Sequence, residues 1–240
     1  MAQFQSKERP DYQGTENLEV MSVAVNYNRF LHDQIHRYAP RHAQAMIYDF
    51  GAGTGQFTNI WNAKDVKVGA IEIDPTLCQR LAEQGHDVYA LDDIQHGTAD
   101  YIYSINVLEH IEDDEAVMAE IFNKLKSGSR FYVYVPAFTS LWMPMDDLVG
   151  HVRRYRKSEM VQKLKTAGFE IETASYIDSA GFFATLLMKP FARADGVLNV
   201  GLVKLFDKVC FPVGRLLDKL IFGWWLGKNV AVLAKKPEVR

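Results

Sequence analysis

The sequence of 240 residues predicts an α/β fold: a doubly wound, mostly parallel sheet of seven strands with helices on both faces. Short apolar segments alternate with segments of helical periodicity along most of the chain, which is the pattern typical of such sheets. The first apolar segment, at 46–50, runs directly into a glycine-rich turn and a helix-like segment at 56–63. We expect one domain over 16–240, preceded by a disordered polar stretch at 1–15.

The other elements follow from hydrophobic spacing and from the residues that end each segment. Asp74-Pro75 closes the second strand, because proline cannot donate to a β ladder, and Gly168 ends a helix, because glycine readily adopts the left-handed conformation. In chain order the expected elements are a helix at 16–38, strands at 46–50, 66–73, 87–91 and 99–105, a helix at 114–124, a strand at 130–135, a helix at 157–167, and strands at 170–176 and 229–234.

A helical insertion at 178–228, rich in leucine, phenylalanine and tryptophan, precedes the last strand. Leucines at helical spacing predict two helices there, which Pro212 separates because proline disrupts a helix interior. These helices are expected to pack on their own domain. Three other interpretations stay open: a lid over a bound substrate, an interface in a homodimer, and contact with a membrane surface through Phe222, Trp224 and Trp225.

The turn after the first strand carries one acid and three alternating glycines, which are Asp49, Gly51, Gly53 and Gly55. Glycine lets a backbone approach a ligand closely, and the helix start that follows offers free N–H groups to an anion. A P-loop is excluded, because Gln56-Phe57 stands where lysine and a hydroxyl residue are needed. Glu72 lies about 20 residues after the first glycine, where doubly wound folds place a ribose-binding carboxylate. The sequence therefore predicts a nucleotide-type pocket.

Two segments resemble the class I S-adenosylmethionine-dependent methyltransferases, whose fold is Rossmann-like. The glycine spacing is similar to the first motif of that family, and Asn106-Val-Leu-Glu-His-Ile111 is similar to the "NVLEHI" signature of its small-molecule and glycan methyltransferases, which include ubiquinone-pathway O-methyltransferases. The resemblance covers 26–234. The chain departs from the family in reading Leu-Lys-Ser-Gly-Ser at 125–129 for Leu-Lys-Pro-Gly-Gly. It also has Glu72 where aspartate is frequent, which lengthens the reach of the carboxylate by one methylene.

The resemblance implies that S-adenosylmethionine is the cofactor and that its methyl group passes to a small-molecule, glycan or lipid-linked acceptor, with oxygen favoured as the acceptor atom. Either Asp92 or Asp93 meets the adenine amino group, and the other caps a turn. Tyr27 lies over the amino-acid end of the cofactor or, equally, packs an N-terminal helix. The implied cofactor residues are Asp49, Gly51, Ala52, Gly53, Gly55, Glu72, Ile73, Asp92, Asp93, Asn106 and Tyr27.

The acceptor is expected beside the connection at 136–156, because ligands of open parallel sheets bind outside the carboxyl ends of the strands. Its segment Gly150-His-Val-Arg-Arg-Tyr155 resembles a "GH.RRY" element of the same methyltransferase subgroup. His151 is the first candidate for a general base, since imidazole titrates near neutrality, and His110 is the second. The candidate acceptor-binding residues are Trp142, Arg153, Arg154 and Tyr155. The two arginines have an alternative role, pairing with Asp146 and Asp147 to fix the loop.

Composition limits the remaining function classes. The formal net charge of −3 argues against a nucleic-acid partner. Cys78 and Cys210 show no metal-ligand spacing, so we expect neither a metal nor a disulfide, and a reducing, cytoplasmic location. The polar N-terminus does not resemble a signal peptide, and contact with the inner membrane face is left open. Two alternatives remain: an NAD-type oxidoreductase, which the glycines and Glu72 support, and a non-catalytic partner protein, which the apolar insertion supports.

Overall fold

The computed structural model describes residues 20–42, 44–64, 66–191, 199–222 and 224–238. Seven strands form one sheet in the order β3-β2-β1-β4-β5-β7-β6. The strands are β1 Ile47–Phe50, β2 Val68–Ile71, β3 Val88–Tyr89, β4 Ala99–Ile105, β5 Leu125–Pro136, β6 Glu170–Ile177 and β7 Asn229–Lys235. The α-helices are α1 Val25–Tyr38, α2 Pro75–Glu83, α3 Asp114–Lys124, α4 Pro144–Leu148, α5 Lys157–Thr166, α6 Ser179–Met188, α7 Val200–Leu205 and α8 Phe211–Leu217.

The topology confirms the predicted fold class. Strands β1 to β5 pair in parallel, and β7 runs antiparallel between β5 and β6. The chain order reverses at β1, which has β2 on one side and β4 on the other, and this is the switch point where open α/β sheets bind ligands. The carboxyl ends of β1 to β6 therefore lie along one edge of the sheet.

Alternation along the strands divides the core between the two faces of the sheet. Phe131, Val133 and Val135 point to the face covered by α3 and α5. Tyr132 and Tyr134 point to the opposite face, which α1 covers with Leu31. A pleat of period two thus explains why apolar and tyrosine side chains interleave in β5, with both sets buried.

Strand boundaries differ from the prediction mainly in β5. This strand begins at Leu125 rather than at Arg130, and its pairing with β4 shifts register between Ala99 and Tyr101. Gly128 lies within the shifted part with a φ of +79°, so the expected turn survives as an irregularity inside a longer strand. The segment after the glycine turn is a 3₁₀-helix at Asn59–Lys64 rather than a longer helix. By contrast, β4 and α3 have the predicted limits.

The first helix begins at Val25, which corrects the predicted start at residue 16; residues 16–19 lie outside the described part. A helical turn at 20–22 is interrupted before Val25. The cause is Asp207 of the insertion, whose carboxylate accepts hydrogen bonds from the backbone N–H groups of Asn26 at 2.9 Å and Tyr27 at 2.8 Å. A buried carboxylate at the first turn satisfies donors that have no partner within the helix and favours a start at this point.

We expect Asp207→Ala to lower the free energy of unfolding by about 2 kcal/mol, because two N–H groups of α1 lose a charged acceptor in the interior. Urea denaturation measures the change. Asp33→Ala is the control, since Asp33 is an exposed acid of the same helix and its loss should change stability by less than about 0.5 kcal/mol. Equal effects of the two substitutions would contradict the role of Asp207 at the start of α1.

The insertion contains one continuous helical segment at 200–222, which corrects the prediction of two helices separated at Pro212. Helices α7 and α8 are joined by a π-helical turn at Phe206–Cys210, and a second π-helical turn follows at Asp218–Phe222. Pro212 lies in the first turn of α8. The wider π turn before it locally changes the hydrogen-bond register, so that the missing N–H of proline does not break the segment.

The two faces of this helical segment are chemically opposite. Asp207, Phe211, Gly214 and Asp218 recur at helical spacing and are buried against the domain. Apolar residues recur at the same spacing on the outer face, and these exposed residues are Leu202, Leu205, Val209, Val213, Leu216 and Leu220. The helices pack on their own domain through Asp207, Phe211, Gly214 and Asp218, while the leucines face outward.

The helices that the structure describes include none that is both long enough and apolar enough to cross a membrane.

Candidate active site

The glycine turn lies at the switch point, where its backbone is held by β2. Gly51, Gly53 and Gly55 all have positive φ, at +77°, +56° and +84°. The N–H groups of Gly51 and Ala52 donate to the carbonyl oxygen of Ile71 at 2.9 and 3.1 Å. A side chain on Gly51 would collide with Val107, which follows β4. The turn therefore requires glycine for its conformation and for its close packing on the β4 end.

Glu72 links this turn to the end of β2. One carboxylate oxygen accepts from the Gly53 N–H at 2.8 Å, and the other accepts from the N–H groups of Ile73 at 2.8 Å and Asp74 at 3.1 Å. Three backbone donors fix the carboxylate at the strand end, with acceptor capacity left for a ligand hydroxyl. The adjacent Ile73 side chain is 86% exposed, so an apolar surface lies beside the position predicted to bind the ribose.

Asp49 is buried beneath the turn. Its carboxylate accepts the Thr58 hydroxyl hydrogen at 2.7 Å, which joins the end of β1 to the chain after the glycines. Burial raises the pKa of Asp49 to about 7, although the hydrogen bond from Thr58 acts in the opposite direction. We infer that Asp49 supports the turn from below rather than contacting the cofactor directly.

The raised pKa of Asp49 gives stability a defined pH dependence. The folded chain keeps the proton of the Asp49 carboxyl to a higher pH than the unfolded chain does. The stability that this carboxyl contributes is therefore fully present below about pH 4 and is lost as the pH rises towards 7. The loss is about 1.4 kcal/mol per pH unit over that window. We expect Asp49→Asn to remove this slope from urea denaturation midpoints measured between pH 4 and 8. A slope that matches the wild-type slope would contradict the assignment.

The two acids after β3 have different environments. Asp93 accepts the Ala90 N–H at 2.8 Å and so caps the 3₁₀ turn at Leu91–Asp93. Asp92 is exposed and makes no hydrogen bond to the residues that the structure describes, which leaves its carboxylate available. Of the two alternatives, the geometry favours Asp92 for a ligand and Asp93 for the turn.

Asn106 and Tyr27 meet at the end of β4. Asn106 has a φ of +55° and donates its N–H to the Tyr134 carbonyl oxygen at 2.8 Å. Burial raises the pKa of the Tyr27 hydroxyl, and hydrogen bonding to Asn106 reduces the shift. The Tyr27 ring lies edge-on to Phe211 at 5.4 Å between ring centroids. Tyr27 therefore packs the insertion against the sheet and places its hydroxyl at the strand end, so both predicted roles fit its position.

Three non-glycine residues with positive φ lie at this edge of the sheet. Asn106, Phe138 and Asp178 follow β4, β5 and β6, with φ values of +55°, +55° and +67°. A residue other than glycine is held in this region only where the surrounding structure imposes it, and such positions cluster at functional sites. These three positions therefore mark the carboxyl ends of β4, β5 and β6 as a candidate ligand-binding surface.

The connection after β5 is organised by Asp146, which is fully buried. Arg154 donates to both of its carboxylate oxygens, at 2.8 and 2.9 Å, and His151 Nδ1 lies 2.6 Å from Oδ1. Burial alone would raise the pKa of Asp146, but the hydrogen bonds from His151 and Arg154 lower it to about 2. A permanently charged Asp146 thus orients the imidazole, with Nε2 directed towards Glu109 at 3.7 Å.

The predicted acceptor-binding residues separate into two groups. Arg154 is 5% exposed, with its guanidinium bound to Asp146, and the buried Tyr155 hydroxyl donates to the Leu108 carbonyl oxygen at 3.0 Å and to Asp114 at 2.8 Å. Arg154 thus takes the alternative role of fixing the loop, through the Asp146 carboxylate that orients His151, and Tyr155 joins the connection after β5 to the segment after β4.

Arg153 and Trp142 are partly exposed, and acceptor binding stays a prediction for both. Arg153 pairs with Asp114 at 2.7 Å rather than with Asp146 or Asp147, and Trp142 Nε1 donates to Asp147 at 3.1 Å.

Two charged groups that sequence reasoning left without a role lie at the same edge. Glu109 is fully buried beside His151, and burial raises its pKa to about 8. Burial also lowers the pKa of Lys228, whose nearest charges include Asp178 and Asp146. Glu109 lies inside the "NVLEHI" segment, so the motif itself was the available signal. For Lys228, which directly precedes the last strand, only the fold brings it to the site.

Comparisons with known proteins agree with this geometry. A family model described as a methyltransferase domain matches residues 24–174. The chain is 25% identical over 159 residues to a probable S-adenosylmethionine-dependent methyltransferase of Mycolicibacterium smegmatis, covering 61% of this chain and 58% of that protein. It is 24% identical over 135 residues to a malonyl-[acyl-carrier protein] O-methyltransferase of Hamiltonella defensa, covering 51% and 52%. The chain thus spans little more than half the length of these curated relatives.

A solved S-adenosylmethionine-dependent methyltransferase from Thermotoga maritima shares the fold, with a TM-score of 0.62 at 13% identity over 94% of this chain and 97% of that one. The match to the family model begins at α1 and includes the glycine turn, Glu72, the acids after β3 and the β4 motif. It decides against the NAD-type oxidoreductase. The chain belongs to the class I S-adenosylmethionine-dependent methyltransferase domain family.

Proposed function

We propose that the enzyme transfers the methyl group to a hydroxyl oxygen of an apolar or lipid-linked acceptor, which binds between the glycine turn and His151. The observation that carries this proposal is the hydrogen bond of 2.6 Å between His151 Nδ1 and Asp146, which directs Nε2 to the carboxyl edge of the sheet. Val107 connects the two halves of the site, since it packs on Gly51 and precedes Glu109 by two residues.

In the proposed reaction the protein supplies one group that accepts a proton, and otherwise it holds the two reactants in position. A lone pair of the acceptor oxygen forms the new bond to the methyl carbon, and the electron pair of the breaking C–S bond stays on sulfur. The acceptor proton passes to His151 Nε2, and Asp146 stabilises the resulting imidazolium. Asp92, Glu72 and Ile73 would hold the adenosine part of the methyl donor, and the glycine turn would face its sulfonium end. The O-methyltransferase of Hamiltonella defensa supports oxygen as the acceptor atom.

The outer face of the insertion supports an acceptor that is drawn from a lipid surface. Trp224 and Trp225, which follow the 200–222 segment closely in sequence, are each 76% exposed. The two acids of this segment are turned inward: Asp207 binds α1, and Asp218 accepts the N–H groups of Asp178 and Ser179. The outward charges are the exposed lysines Lys204, Lys208 and Lys219. An apolar, aromatic and cationic face of this kind is complementary to an anionic bilayer surface.

We expect the full-length protein to sediment with vesicles that contain phosphatidylglycerol more than with vesicles of phosphatidylcholine alone. The double substitution Trp224→Ser with Trp225→Ser should lower the bound fraction about tenfold, because two interfacial aromatic anchors are lost. Met46→Ser is the control, since Met46 is an exposed apolar residue before β1, at the opposite edge of the sheet. Unchanged binding of the tryptophan variant, or formation of a dimer in place of vesicle binding, would contradict a membrane-facing role.

Methyl transfer itself is tested by incubating the protein with methyl-labelled S-adenosylmethionine and separated lipid, glycan and metabolite fractions. The proposal expects label in a lipid fraction, in a product that resists mild base as a methyl ether does. Label that appears only in water-soluble amines would contradict both the acceptor class and the acceptor atom.

A further inference from the structure

Three potential metal ligands converge beside the proposed acceptor site. Glu109, His110 and His151 each have one ligand atom within 4.8 Å of the others. Glu109 and His110 come from the 3₁₀ turn after β4, and His151 comes from the connection after β5. The backbone joins these segments, because the N–H of Val152 donates to the Glu109 carbonyl oxygen at 2.8 Å. Two rigid segments thus present two imidazoles and one carboxylate to the same point.

The burial of Glu109 and the hydrogen bonding of its carboxylate favour a cation at this point. The residue is 0% exposed, and neither carboxylate oxygen has a hydrogen-bond partner among the residues that the structure describes. A buried carboxylate without hydrogen-bond partners is costly unless it takes up a proton or meets a counter-charge or a ligand. Arg154 is nearby, but its guanidinium donates to Asp146 and to the Ala137 carbonyl oxygen rather than to Glu109.

The surroundings of His151 match those of a metal-binding histidine. Its Nδ1 is hydrogen-bonded to the Asp146 carboxylate at 2.6 Å, which leaves Nε2 facing Glu109 at 3.7 Å. The His110 ring stands edge-on to the His151 ring, with 4.7 Å between the centroids. Carboxylate–histidine pairs of this kind fix the tautomer and ring orientation of metal ligands. Ligand atoms in a bound site lie about 3.0–3.4 Å apart when each is about 2.1 Å from the ion, so small side-chain rotations would close the cluster.

We propose that Glu109, His110 and His151 bind one divalent first-row transition ion, of the Mn²⁺, Co²⁺ and Zn²⁺ class. Two imidazole nitrogens and one carboxylate favour these ions over Mg²⁺ and Ca²⁺, which prefer oxygen ligands. Three protein ligands leave coordination positions open at the carboxyl edge of the sheet. The purpose of the ion rests on the proposed function: it would coordinate the acceptor hydroxyl, lower the pKa of that hydroxyl and release its proton to solvent. With the ion bound, His151 Nε2 serves as a ligand and the ion takes over activation of the oxygen.

The test is a Co²⁺ titration of the metal-free full-length protein, followed by the visible absorption of bound Co²⁺. We expect saturation at one ion per chain, and Glu109→Gln and His151→Gln should each weaken binding at least tenfold. The matched control is His96→Gln, because His96 and Glu120 form a histidine–carboxylate pair at 3.0 Å on the surface. Absence of saturable binding, or equal weakening by His96→Gln, would overturn the site.

Binding of S-adenosylhomocysteine is measured on every variant, and values within about twofold of wild type show that the fold is intact. If a variant binds neither Co²⁺ nor S-adenosylhomocysteine, Glu109→Asp is used in its place. This substitution keeps the carboxylate and should retain Co²⁺ affinity within about tenfold of wild type. This design separates the two proposals. Saturable Co²⁺ binding without methyl transfer to any hydroxyl would contradict the proposed function and leave the metal site standing. Methyl transfer to a hydroxyl that is unaffected by chelation, in a protein that binds no Co²⁺, would contradict the metal site and leave the proposed function standing.

Discussion

Gly53→Ala is expected to weaken binding of S-adenosylmethionine about 100-fold while leaving the protein folded, a change of about 2.7 kcal/mol in binding free energy. Gly53 has a φ of +56°, and a Cβ built on it comes within 4 Å of nothing except the Gly51 carbonyl oxygen, at 4.0 Å. The substitution therefore costs about 1–2 kcal/mol of backbone strain and causes no collision inside the protein. The added methyl group instead enters the space in which the cofactor must approach the turn.

Gly85→Ala is the matched control for this prediction. Gly85 has a φ of +86° and nothing within 4 Å of a built Cβ, so the substitution carries the same backbone strain away from the turn. Isothermal titration calorimetry with S-adenosylmethionine and S-adenosylhomocysteine compares the two variants, and urea denaturation confirms that both are folded. Wild-type affinity in Gly53→Ala, or an equal loss in Gly85→Ala, would show that the cofactor does not lie against the turn.

His151→Ala is expected to lower turnover about 10²–10⁴-fold and to change the affinity for S-adenosylmethionine by less than about twofold. The imidazole lies at the proposed acceptor oxygen, whether it takes the proton itself or holds the ion that activates the oxygen, and it is separated from the adenosine-binding acids by the width of β1 and β4. Initial rates on the lipid fraction that accepts label give the turnover, and calorimetry gives the cofactor affinity.

His96→Ala serves as the control for His151→Ala, because it removes an imidazole of the protein surface. It should change neither turnover nor affinity. Equal loss of turnover and of cofactor affinity in His151→Ala would indicate a structural role for His151. Full activity in that variant would exclude it from the chemistry.

The parts of the fold that could be predicted are those that local sequence determines. The limits of β4 and α3 follow from an apolar run and from an aspartate at the helix start, and both were predicted correctly. The start of α1 could not be predicted, because it is set by Asp207, which is 180 residues away from Tyr27. Likewise, the path of the chain through Pro212 depends on a π-helical turn, for which hydrophobic spacing gives no signal.

The candidate site shows the same division. The glycine motif and the "NVLEHI" segment indicated the family and its cofactor through their resemblance to known methyltransferases, whereas Glu72 fitted an NAD-type enzyme equally well. The sequence offered Asp146 and Asp147 as alternative partners of the two arginines. Arg154 does bind Asp146, but Arg153 binds Asp114, which is 39 residues distant and outside the loop. The burial of individual side chains could not be predicted from the sequence either. Burial explains why Tyr155 and Arg154 support the site rather than contact the acceptor, and why Glu109 is a carboxyl group shielded from solvent.

The most direct test of the account is calorimetric titration of the purified wild-type protein with S-adenosylhomocysteine, S-adenosylmethionine and NAD. The account predicts saturable binding of both sulfur-containing nucleosides at one site per chain, each abolished or strongly weakened by Gly53→Ala, and no measurable heat with NAD. No heat with either nucleoside from folded protein, or binding of NAD with equal affinity, would contradict the central claim that the glycine turn and the acidic strand ends form a methyl-donor site.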